Sequence, residues 1–150
     1  MKLSKNIILV SFIFLVFGCT TTGNKSVESY EYVVKLWEQL EISMLSTIVE
    51  DARNNNESWI SSPALYPQHL FEFSDLKSYS IHYSVKSIEL NRKSTIIVVR
   101  DGFLDDSVRG DIHEIVLEKT GEQWEIKSAK RAFRCWRSSE STTYSADTCS

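Results

Sequence analysis

Three histidines, His69, His82 and His113, are the side chains of this 150-residue sequence best suited to moving protons or holding a metal. They are widely separated, with no H-x-H or H-x-x-H spacing, so no metal site is expected. His82 alternates with Ser80, Ser84 and Lys86 along an extended stretch and is expected to face solvent. His113 shares a strand face with Asp111 and Ile115, where it meets either a cavity or a cross-strand partner. His69 sits beside Leu70 and Phe71 in an irregular stretch. With Tyr83, His69 and His113 make up the catalytic candidates. A loop or cross-strand histidine with ordinary packing is the simpler account of each.

The other chemistry-bearing residues are less specific. Asp101, Asp105 and Asp106 cluster in "RDGFLDDSVRG", but the spacing does not match a calcium-binding EF-hand loop, and a solvated connection is expected. No G-x-S-x-G turn, phosphate-cradling glycine loop or Cys/His nucleophile pair occurs, and no cofactor is expected. Arg131, Arg134 and Arg137 surround Trp136. Arg134, Trp136 and Arg137 are the candidates for binding an anionic partner, although guanidinium packing on indole, worth about 0.5–1 kcal/mol when exposed, is the favoured account of them.

These residues must be positioned by two kinds of element. From Val27 to Arg53 the apolar residues Tyr30, Val33, Val34, Trp37, Leu40, Met44, Leu45, Ile48 and Val49 recur at three- and four-residue steps, which predicts one long helix closed by Asn54–Asn56. Trp59 to Leu76, broken by Pro63 and Pro67, is predicted irregular. From Tyr79 onward the period becomes two. A bulge near Lys86–Ser87 is expected, then strands over Ser94–Arg100, Asp111–Lys119 and Trp124–Trp136, the last bent where its apolar phase shifts. Gly121 supplies the positive φ for the last turn. The class is α+β: a long N-terminal helix packed on a curved antiparallel sheet of about four strands.

The sequence opens "MKLSKNIILVSFIFLVFGC". Lys2 and Lys5 precede an apolar run, Ile7 to Phe17, shorter than the ~18 residues a membrane span needs. Val16-Phe17-Gly18-Cys19 resembles the lipobox of bacterial lipoproteins. That resemblance implies a signal peptide over residues 1–18 and a fatty-acylated (palmitate-type) Cys19. A flexible tether follows to residue 26, then a single α+β domain over 27–150. Thr20 stands where an aspartate would resemble an inner-membrane retention signal, so the implied location is the outer membrane, facing the periplasm. Membrane lipid is then the first partner. With Cys19 committed to lipid, Cys135 and Cys149 remain as an even pair in an oxidising compartment. A disulfide is expected ahead of two free thiols or a metal site, and closing a loop of about 15 residues contributes roughly 3 kcal/mol. Removing Lys2 and Lys5 from the 17 basic residues leaves 15 against 20 acidic ones, a formal −5 that disfavours nucleic acid as a partner.

"DIHEIVLEKTGEQWEIKSAKRAFRCW" resembles the closing hairpin of the nuclear-transport-factor-2-like, cystatin-like superfamily. The resemblance implies a cone-like fold over about Val27 to Trp136, in a group that holds both enzymes and non-catalytic domains. The functional expectation is a non-catalytic envelope lipoprotein that binds a protein or small ligand. The alternatives are a periplasmic immunity-type inhibitor and a cone-fold enzyme of ketosteroid-isomerase or polyketide-cyclase type.

Overall fold

The computed structural model describes residues 32–85, 92–138 and 142–149. Cys19, the segment 1–26 and the expected bulge at Lys86–Ser87 lie outside the described residues. The chain runs β1 (Val33–Val34), β2 (Glu38–Leu40), α1 (Ser43–Asn54) and two 3₁₀ turns (Ser58–Ser61, Pro63–Leu65). It continues with α2 (Tyr66–Leu70), β3 (Ser78–Val85), β4 (Lys93–Asp101), β5 (Val108–Thr120), β6 (Gln123–Cys135) and β7 (Thr143–Tyr144).

This corrects the expected fold class. Among the described residues the segment expected as one long helix over Val27–Arg53 forms β1, β2 and α1, not a helix packed on four strands in a cone. Among the described residues the helices are short, and the main sheet has five antiparallel strands in the order β2-β6-β5-β4-β3. The reason lies in where the apolar side chains of the first segment go. Tyr32, Val34 and Trp37 pack on one side of the sheet, whereas Leu40, Ile42 and Leu45 pack on the other. A straight helix presents one stripe to one surface and cannot serve both. The chain instead passes extended around the sheet edge, with β2 pairing Glu38, Gln39 and Leu40 to Arg131, Lys130 and Ala129. Only then does it enter α1, whose Val49 and Ala52 are buried. The asparagine run closes that helix, and Asn56 takes the left-handed conformation at φ 56°.

The strands follow the period of two. Ile115 lies opposite Ile96 on β4 and Ala129 on β6. These three join Val98, Leu117, Trp124 and Ile126 under α1, Trp59 and Tyr66 in the larger core. Val99, next in sequence to Val98, points to the opposite face. There it joins Ile112, Ala132 and Tyr144, flanked by Tyr32, Val34, Trp37 and Ile97, in a second core. The bend expected in the last strand is located: Val116 pairs with Ser128 but Leu117 pairs with Ile126, so Lys127 is an extra residue. That bulge lets Ile126 and Ala129 share a face despite their odd spacing. A second irregularity lies between Val108 and Gly110. A side chain at Gly110 would collide with the Arg100 carbonyl, so the close approach of β4 requires glycine there. Gly121, at φ 63°, opens the two-residue turn between β5 and β6.

The second face is covered by the C-terminal segment. Cys135 ends β6 and is bonded to Cys149, with the Cα atoms 5.3 Å apart. Between them, Phe133 and Ser145 exchange backbone hydrogen bonds of 2.7 and 2.9 Å. The parallel pair β1–β7 matches Val33 to Thr143 and Val34 to Tyr144. The Tyr144 side chain is buried at 2 % exposure, with the Arg134 guanidinium 5.3 Å over its ring.

Candidate functional site

The irregular stretch after α1 builds a cavity of about 260 Å³ lined by Ile48, Asp51, Ala52, Glu57, Trp59 and His69. Ile48, Asp51 and Ala52 come from α1. Trp59 is in the first 3₁₀ turn, and α2 contributes His69. Tyr66 is the pivot of this region. It is fully buried, and its single O–H is shared between the carbonyls of Ile60 at 3.2 Å and Trp124 at 3.0 Å, tying the turns to β6. Burial pushes its phenol up to about 12. Trp59 meets Tyr66 edge to face at 5.1 Å and stacks on His69 at 4.3 Å, with ring planes 7° apart. The indole N–H donates to Glu57 Oε2 at 2.6 Å. The lining thus carries two carboxylates, a short apolar floor from Ile48 and Ala52, and no Lys or Arg. That chemistry suits an ammonium or guanidinium on a short apolar stem.

A buried polar cluster lies on the same sheet face. The spacing of Asp111 and His113 places both on one side of β5. Register sets Arg100 opposite Asp111 and Arg131 opposite His113. Arg100 grips Asp111 with a fork, Nε to Oδ1 at 2.9 Å and Nη2 to Oδ2 at 2.5 Å. His113 Nε2 lies 3.0 Å from Asp111 Oδ2. Burial alone would push the Asp111 carboxyl up. The His113 hydrogen bond and the Arg100 fork outweigh it and hold the group below the usual carboxylate range. The ionised carboxylate only accepts, so Nε2 carries the proton. Phe71 covers the cluster, 4.7 Å from the His113 ring and 5.3 Å from the Arg100 guanidinium, and Phe103 lies 5.1 Å from that guanidinium on its own contact. Arg100 Nη1 also donates to the Glu72 carbonyl at 3.1 Å, anchoring the loop that provides this cover.

The remaining candidates fall in different places. Tyr83 donates to the Ala64 carbonyl at 2.7 Å, and burial raises its phenol. His69, His113 and Tyr83 thus hold three different partners and do not converge. Arg134 is spent on Asp101, at 2.5 Å, and on the Tyr144 ring. Trp136 donates its indole N–H to the Asp105 carbonyl at 3.0 Å and lies between Lys77 and Arg109, at 5.5 and 5.2 Å. Arg137 is exposed beside it. His82 does not face open solvent as expected. It is half-buried, with Nε2 3.1 Å from the Tyr32 hydroxyl, because β1 and β7 cover that side of the sheet. Asp105 accepts from the backbone of Ser107 and Val108, at 2.8 and 2.6 Å, which makes it a turn residue. Among the described residues no group of three or more His, Cys, Asp or Glu side chains is placed to hold a metal ion.

Sequence reasoning missed Asp51, Glu57 and Trp59. Their one available signal was Glu57 two residues before a tryptophan. It also missed Arg100, whose partnership depends on hairpin register. The chain matches no protein-family model, no curated protein and no solved structure.

Proposed function

We propose that this chain is a lipid-anchored protein of the bacterial cell envelope, attached through an acylated Cys19 and facing the periplasm, whose domain binds a cationic group without catalysing its conversion. The observation that carries the export reading is the Cys135–Cys149 disulfide, which belongs to an oxidising compartment. It accords with the lipobox-like Val16–Cys19 and the polar tether after it. The binding reading draws on the cavity under Trp59, where Asp51 and Glu57 offer negative charge beside exposed His69. Asp111 and His113 are read as structural, since both are buried under Phe71, with Asp111 neutralised by Arg100 and His113 hydrogen-bonded to Asp111.

Metabolic labelling of the full chain with an alkyne analogue of palmitate in a bacterial host tests the anchor. Label is expected on the wild type and absent from Cys19→Ala, with a mature mass lacking residues 1–18. An unlabelled wild type that keeps those residues would overturn it.

A further inference from the structure

The C-terminal segment does more than cover apolar surface. Among the described residues β1 pairs with β7 and with no other strand. The Lys35 N–H, just after β1, donates to the Tyr144 carbonyl at 2.9 Å. β7 in turn reaches the main sheet through the Phe133–Ser145 bridge, and its far end is fixed by Cys149. The order of backbone attachment is therefore β6, then the C-terminal strap, then β1. Side chains follow this order in part, since the Tyr32 hydroxyl also lies 3.0 Å from Ser80 Oγ and 3.1 Å from His82 Nε2 on β3. Tyr32 meets Tyr144 edge-on at 6.2 Å, and Val34 packs on the core that Tyr144 completes.

We infer that the Cys135–Cys149 disulfide is a redox-sensitive clasp that holds the C-terminal strap and β1 on the sheet. Closed, it keeps the strap and β1 docked. Open, it releases both, while β2 stays paired to β6. Residues 32–37 can then extend, spanning up to about 20 Å at ~3.3–3.6 Å per residue. Opening needs a dithiol reductant. Its thiolate attacks one sulfur of the pair, forms a mixed disulfide and expels the other cysteine as a thiolate. The reductant's second thiol then displaces the first cysteine. Two electrons and two protons pass to the cystine, and the dithiol leaves as a disulfide. Both cysteines are partly exposed, so the exchange has access.

Hydrogen exchange on the purified full chain, oxidised and after treatment with dithiothreitol, tests this. Amides of Lys35 and Ser145 are expected to exchange roughly a hundred-fold faster once the disulfide opens, the scale set by losing closure of a loop of this length. Amides of Ile96 to Val99 and Ile112 to Leu117 should not change. Trypsin should gain a cut after Lys35 in the reduced chain alone. Cys149→Ser should behave as the reduced wild type without reductant. Retained protection at Lys35 and Ser145 would overturn the clasp, showing that side-chain contacts such as Tyr32 to His82 hold β1 unaided. Loss of protection across β4 and β5 together would also overturn it, since the release would then be global.

Discussion

The two faces of the sheet are built on different terms. The face under α1 is closed by consecutive chain: helix, turns and α2 follow one another, and Tyr66 bolts them to β6 through two carbonyls. The opposite face is closed by two short strands from distant parts of the sequence, held by a covalent link. The first face also carries the charged cluster and the cavity. Local contacts repay their ordering entropy segment by segment, whereas β1 must bear a long loop closure to reach β7, and the disulfide contributes only by fixing β7 beside β6.

This contrast can be broken or sharpened by substitution. The largest effect belongs to the first face. Asp111→Ala leaves the Arg100 and His113 side chains without their shared acceptor and should cost about 3–5 kcal/mol, read from urea unfolding. A cost below about 1 kcal/mol would mean that the cluster is hydrated and not structural. Tyr66→Phe comes next. It strips two carbonyls of a donor and should cost roughly 1–3 kcal/mol. Its pH dependence has a definite sign. The folded phenol titrates near 12, above its unfolded value near 10, so its contribution is intact below about pH 10 and is lost as pH rises through 12. The phenylalanine variant should lack that alkaline loss, measured by unfolding at pH 9 and pH 11.

A smaller change is expected in acid. Asp111 is held below its unfolded value near 3.8, so the stability it confers is present above that pH and disappears as pH falls through the folded value. Asp111→Asn should therefore show a shallower drop in urea midpoint between pH 5 and pH 3 than the wild type. The smallest effect on stability is at the cavity. Asp51→Asn with Glu57→Gln should leave unfolding within about 0.5 kcal/mol. The same pair should weaken binding of arginine methyl ester several-fold, followed by tryptophan fluorescence. Equal affinity in both proteins would remove the cavity from the proposed function.

Much of the sheet was legible because alternation survives burial. Tyr79 onward, the strands around Ile96 and Ile115 and the Gly121 turn all appear near where the period of two places them. The phase break in β6 was visible as well, since Ile126 and Ala129 cannot both be buried on one face without an added residue. The first segment misled for a physical reason. The run from Val33 to Leu45 satisfies helical spacing, but Val34 and Trp37 serve one core and Leu40 and Leu45 the other, and only the sheet edge they wrap reveals that. Of the site, the Asp111–His113 spacing was readable along one strand. The Arg100 fork and the Trp59–His69 stack were not, because each depends on how chain segments ten or more residues apart fold back on one another.

Val98 and Val99 are adjacent in β4 and serve opposite cores. A backbone shift that eases crowding behind one of them tightens the space in front of the other. Paired enlargements there, Val98→Ile with Val99→Ile, should consequently be non-additive in a double-mutant cycle. Single changes elsewhere in either half should simply add. This peptide unit is thus a point of mechanical communication through an otherwise insulating wall.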